Sequence, residues 1–283
     1  MKKMTVVLGL VAMMSVSAFG VGFIGTPTAE LEKSQWNVGF NYTYISMDLA
    51  KIKYSESSQE FDPAGNPDGD PETDSYKEEI NDNNVQRYYG TIGYGVTDVW
   101  EAYVQLGIAD VKAQTKEEGE ESEGHNFDND FAWGWGTRYT FYEQDNIRWG
   151  ASLQMNWLDT SVGHKGTWVD GGLDGTWNAT IDYETYDLLI AVGPTADMGG
   201  WNLYGGPFYY YLSGEIDGEV TITPSGWDTA AEIEKFSGDL EADSNFGGFV
   251  GAQISLKENC DLTTELSFTG DGMAIGAGVT WAF

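Results

Sequence analysis

The chain has three arginines, Arg87, Arg138 and Arg148, and each falls in a stretch whose residue types alternate with a period of two. Arg87 lies in VQRYYGTIGYGV (85–96), Arg138 in FAWGWGTRYTF (131–141) and Arg148 in RWGASLQMNW (148–157). In each stretch most apolar residues take one parity and the arginine takes the other. All three guanidinium groups are therefore expected to point away from the apolar face of a strand. Three acids do the same in their own stretches: Glu101 in WEAYVQLGI (100–108), Asp187 in YDLLIAVG (186–193) and Glu265 in DLTTELSF (261–268). Charges of both signs on one interior face form an ion-pair network, because a lone buried charge is costly and a paired one much less so. Glu101 sits low on its strand, near the depth of Arg148 and within reach of Arg138. The expected pairs are thus Glu101–Arg148 and Glu101–Arg138. Such a network either holds an interior together or lines a path for solutes.

Other residues could do different chemistry. The stretch FDPAGNPDGDPETD (61–74) places Asn66, Asp68, Asp70, Glu72 and Asp74 at every second position. Alternating oxygen ligands around a glycine resemble a calcium loop, with Asp68, Asp70 and Asp74 as the ligands. No glutamate closes the pattern and proline interrupts it, so a solvated surface loop is the competing reading. No other cofactor is expected. The charge run KEEGEESEG (116–124) has no ligand geometry and reads as solvated. The two histidines, His125 in EGHNFDND and His164 in TSVGHKG, have carboxylates or a serine nearby. Both fall in expected loops, without the rigid placement a catalytic pair needs. There is no G-x-S-x-G, H-E-x-x-H or P-loop. The ten-stranded omptin proteases match in strand number, but their paired aspartates and Asp–His dyad have no counterpart at matching strand ends. An enzyme is not expected.

The elements that position these residues follow from the whole chain. Its 283 residues carry a formal net charge of -31, which excludes a nucleic-acid partner. Residues 1–20 read as a secretory signal peptide: a basic MKK, the short apolar run MTVVLGLVAMMSV and small residues for cleavage in SVSAFG. With Cys260 the only cysteine, an exported chain has no internal disulfide. No later run is long enough for a spanning helix, so the part from residue 21 to 283 is either soluble or a closed barrel.

Ten period-two runs decide between these. They are 36–44, 85–96, 100–108, 131–141, 148–157, 186–193, 201–212, 245–256, 261–268 and 273–283. Short connections (VTDV, YEQDN, PTADMGG, KENC, TGDG) alternate with long ones at about 50–84, 109–129, 158–180 and 213–244. This rhythm is the sidedness of an up-and-down barrel, with periplasmic turns on one rim and extracellular loops on the other. Trp36, Trp100, Trp149 and Trp201 open strands rising from the turn side, and Trp281 sits near the end of the last strand descending to it. Five indoles at one depth make a periplasmic aromatic girdle, since indole has an apolar body and a polar N–H. A soluble sandwich has no reason to sort tryptophans by depth. The expected fold is all-β: an antiparallel transmembrane barrel of about 10 strands, with 8 or 12 as alternatives.

The ending VTWAF resembles the C-terminal signature of bacterial outer-membrane β-barrels, in which a terminal aromatic follows apolar residues at alternate positions. The resemblance implies that Val279, Trp281 and Phe283 are an assembly signal read by the barrel-assembly machinery. In organisation the chain resembles small monomeric barrels of the OmpA and opacity types, without a closer subfamily. That implies the outer membrane of a Gram-negative-type bacterium, lipid as the surrounding partner, a monomer, and extracellular loops that meet a surface ligand of unknown identity. The expected role is structural or surface-interacting around a filled or narrow lumen. A small cation-preferring pore is the alternative.

Overall fold

The computed structural model describes residues 22–113, 125–126, 130–170, 173–227, 230–241, 245–270 and 272–283. The expected signal peptide and the charge run at 116–124 lie outside them. The strands are β1 (Trp36–Glu60), β2 (Glu72–Thr97), β3 (Trp100–Ala113), β4 (His125–Asn126), β5 (Asp130–Gln144) and β6 (Ile147–Asp170). They continue with β7 (Leu173–Asp197), β8 (Trp201–Pro224), β9 (Glu232–Glu241), β10 (Phe246–Lys257), β11 (Cys260–Thr269) and β12 (Gly272–Ala282). Among the described residues no helix is long and apolar enough to cross a membrane.

Ten of these strands form a closed antiparallel ring. The order is β1, β2, β3, β5, β6, β7, β8, β10, β11 and β12, and β12 pairs back onto β1. Closure reaches the end of the chain. Phe283 N–H donates to the Trp36 carbonyl at 2.8 Å, and Trp36 N–H donates to the Phe283 carbonyl at 3.1 Å. A ring leaves no unpaired edge, the condition a sheet must meet to sit in hydrocarbon. Tight turns join the strands at the closed end. Asp145 and Asn259 take positive φ there, as short polar residues tolerate.

The outside of the ring is apolar. Val38, Phe40, Ile92, Val104, Leu106, Trp133, Trp135, Ile190, Val250, Leu266 and Ile275 are all exposed there. On a soluble protein so large a patch would be anomalous; on a barrel it is the surface that meets lipid. Trp133 and Trp157 stack across β5 and β6 with ring centroids 4.4 Å apart. The opposite parity faces in and is buried.

Three of the connections expected as long loops are instead largely strand. β1 and β2 continue as a hairpin well past the belt, as do β6 with β7 and β8 with β9. Above the membrane the outer face meets water, so it carries Ser55, Ser57, Asp182, Asp217, Glu219 and Ser237, and the hydrophobic half of the alternation disappears. β9 has no place in the lower ring. It pairs with β8 on one side and with the upper half of β1 on the other, directly above the shorter β10, β11 and β12. Register shifts between Met47 and Ile52 reverse the parity of β1. Odd residues (Asn41, Thr43, Ile45) are buried below, and even ones (Glu56, Ser58) above.

Candidate functional site

Below the girdle rim the chain enters the barrel. Residues 22–31 run inside the ring, where Ile24, Thr26, Thr28, Ala29 and Leu31 are all buried, and Glu32, Lys33 and Ser34 are exposed again before β1 begins. Such a segment has no strand partners, so its backbone polar groups need other acceptors and donors. The barrel wall supplies them. Glu265, from β11, accepts the N–H of Ile24 at 2.9 Å and of Gly25 at 2.8 Å, one on each carboxylate oxygen. Tyr204, from β8, donates its hydroxyl to the same carboxylate at 3.2 Å. Glu101, from β3, accepts the N–H of Glu30 at 2.8 Å and of Leu31 at 3.2 Å. Ala29 N–H donates to Thr140 Oγ1 at 3.0 Å, and Arg148 Nη1 donates to the Ala29 carbonyl at 2.8 Å. Gln253 Nε2 donates to the Glu30 carboxylate at 2.9 Å.

The wall is also shaped for this segment. A Cβ at Gly150 would stand 2.5 Å from the Pro27 carbonyl oxygen, and one at Gly95 would stand 1.9 Å from that of Glu32. Both distances are far inside van der Waals contact with backbone, so only glycine admits the segment at these two places.

The six expected interior charges are all on the inner face, but they are used in two ways. Arg87 and Asp187 form a buried pair at 3.0 Å. The other Asp187 oxygen accepts from Asn156 Nδ2 at 2.6 Å, and Asn156 in turn accepts from Gln105 and Gln154. Arg138 pairs with Glu101 at 2.7 Å and lies over the Tyr103 ring, 4.9 Å from its centroid. The expected Glu101–Arg148 pair is corrected: Arg148 is taken by the Ala29 carbonyl, and the free side of Glu101 is taken by the segment's N–H groups. Glu265 binds backbone and a tyrosine hydroxyl rather than an arginine. Strand parity points to these residues but carries no signal for the inserted segment. GFIGTPTAELEKSQ (22–35) has neither a strand nor a helix period.

Higher in the barrel the polar network gives way to a continuous apolar cluster that includes Ile45, Val85, Leu158, Ile181, Leu189, Phe208, Leu212 and Ile216. Beside the inserted segment remains a cavity of about 50 Å³, lined in part by Phe23, Glu101, Tyr103, Gln105, Arg138 and Thr263.

The remaining expected sites lie outside the lumen. Trp36, Trp100, Trp149, Trp201 and Trp281 are exposed on the outer face, at or next to the strand ends at the turn rim. Trp36 packs on Tyr94 at 4.7 Å, and Trp100 Nε1 donates to Thr137 Oγ1 at 2.6 Å. Val279, Trp281 and Phe283 also face out. Asp68 and Asp70 lie in the β1–β2 turn and Asp74 on β2, all exposed; among the described residues no three His, Cys, Asp or Glu side chains converge as a metal site. Asp62 instead organises the turn, accepting from the N–H groups of Ala64 and Asn66 at 2.9 Å each. The Asn66 side-chain amide, which donates to it at 3.0 Å, and then these backbone N–H groups hold its carboxyl below the usual range. His125 lies on β4 and His164 on β6, with side chains outside the described set.

No protein-family model matches the chain, and no curated protein matches it. Solved structures do. The outer-membrane protease OmpT of Escherichia coli matches at 10% identity over 90% of this chain and 99% of that one, with a TM-score of 0.41. OprG of Pseudomonas aeruginosa matches at 8% identity over 89% and 97%, with a TM-score of 0.36. Ail, the attachment invasion locus protein of Yersinia pestis, matches at 12% identity over 89% and 99%, with a TM-score of 0.28. The class rests on the chain's own geometry: a closed ten-stranded ring, an apolar exterior and an indole rim make it an outer-membrane β-barrel protein.

Proposed function

We propose that this protein is a filled barrel that carries its upper hairpins as an interaction surface outside the cell, without catalytic activity. One observation carries the reading. The inserted segment is held by carboxylates from opposite parts of the wall, Glu265 and Glu101, through four backbone N–H groups. A plug tied at both ends leaves little room for solute, and the apolar cluster above it narrows the interior further. Lipid solvates the belt, the barrel-assembly machinery reads the terminal aromatic residues, and the acidic hairpins meet a surface ligand. The test is single-channel recording of the purified full-length barrel in a planar bilayer. Small or absent conductance is expected, and a large, steady, porin-like conductance overturns the reading.

A small cation-preferring pore is the second reading. The cavity beside the plug favours it, since Glu101, Gln105 and Thr263 give that space polar walls. Brief openings with cation selectivity in the same recordings would decide for it.

A further inference from the structure

The upper tier holds a second group of acids, far from the plug. Where β9 meets β1, the inward row comprises Glu56, Ser58 and Glu60 on β1 and Glu232, Glu234 and Phe236 on β9. β2 adds Glu72 opposite Ser58 and Asp74 opposite Glu56. β8 adds only Gly218, Val220 and Ile222. Among the described residues this face carries six carboxylates and no basic residue. The neighbouring cation, Lys235, is on the opposite face, where it pairs with Glu219 at 3.1 Å.

Two of the six are set apart by burial. Glu56 is 4% exposed and Glu234 is 2% exposed. Neither oxygen of Glu56, nor Oε1 of Glu234, has a hydrogen-bond partner. Glu56 lies opposite Phe236 and Ser58 lies opposite Glu234, so the two glutamates are diagonal neighbours on one face. Buried carboxylates without partners call for a positive charge between them.

We propose that Glu56 and Glu234 bind a divalent cation of the calcium type, clamping β9 onto β1 above the membrane. Calcium takes six to eight oxygen ligands in flexible geometry, so two carboxylates completed by the Ser58 hydroxyl, backbone carbonyls and water suit it. The surrounding Glu60, Glu72, Asp74 and Glu232 raise the local concentration of cations. Burial, reinforced by Glu232 and Glu56, pushes the Glu234 carboxyl up to about 8. Burial also pushes Glu56 up, with Asp74 and Glu232 adding to it.

The experiment is calorimetric titration of calcium chloride into the folded, full-length protein in detergent at about pH 8. The expected result is one saturable site in the wild type. The double variant Glu56→Gln, Glu234→Gln should lose that site, while Glu60→Gln, Glu72→Gln keeps it. Absence of saturable binding in the wild type, or binding that survives in the Glu56/Glu234 variant, would each overturn the proposal. If that double variant does not fold, Glu234→Gln alone is titrated, and undiminished binding there overturns the proposal equally.

Discussion

Replacing Glu265 with alanine tests how the plug is held. In the folded barrel this carboxylate accepts from Ile24 N–H, Gly25 N–H and the Tyr204 hydroxyl, all in a buried setting. The alanine leaves two backbone N–H groups with no acceptor as long as the segment stays in place. Each such group costs about 1–3 kcal/mol, so the seated state loses about 2–6 kcal/mol relative to a released state in which water satisfies them. At about 1.4 kcal/mol per factor of ten, the released population grows by about 30-fold to about 10⁴-fold. Two assays read it. Planar-bilayer recordings should show frequent or sustained openings that the wild type lacks. Limited proteolysis of intact barrels should cleave within residues 22–31, while the strands stay protected. The Glu101–Arg138 end still holds, so the segment swings rather than leaves. If Glu265→Ala recordings and proteolysis match the wild type, the carboxylate is not what retains the segment, and the plug account is wrong.

Other outcomes follow from the same geometry. Gly150→Val drives a side chain into the Pro27 backbone and should open the lumen without unfolding the ring, seen as new conductance with unchanged heat-modifiable mobility on gels. Removing Phe283 breaks the closing backbone pair with Trp36, and making it charged puts a charge at the belt. Either change should reduce membrane-inserted barrel far more than a comparable change in 116–124, measured by fractionation. Arg87→Leu leaves Asp187 buried without its cation and should cost about 3–5 kcal/mol in denaturant unfolding, whereas Arg87→Leu with Asp187→Leu should recover most of the loss.

Much of this was legible because lipid enforces a simple rule. Within the belt most outward residues are apolar, so WEAYVQLGI and DLTTELSF declare their parity, and with it the inward position of Glu101 and Glu265. Beyond the belt the rule lapses. In the upper halves of β1 and β2 the outer face is solvated, and KYSESSQE then looks like a loop although it pairs residue for residue with β9. The parity reversal near Met47–Ile52 was hidden for a related reason: a bulge is a property of two strands, and one strand's sequence does not show it. The plug was illegible because its hydrogen bonds go to side chains far away in sequence. Nothing local in TPTAELEK marks a backbone whose acceptors are Glu101, Thr140 and Glu265.

That separation bears on the order of assembly. The bond from Ile24 N–H to Glu265 spans 241 residues, so the acceptor is synthesised long after its donor. Its receptor surface is completed only when β11 lies beside β10 and β12. Contacts of such range are slow to form, because the entropy of closing the intervening loop is lost before they stabilise anything. A segment at the front of the chain therefore waits for the back, and its docking reports that the ring is complete. A barrel stalled one hairpin short would leave Ile24 and Gly25 without the Glu265 carboxylate that accepts their N–H groups.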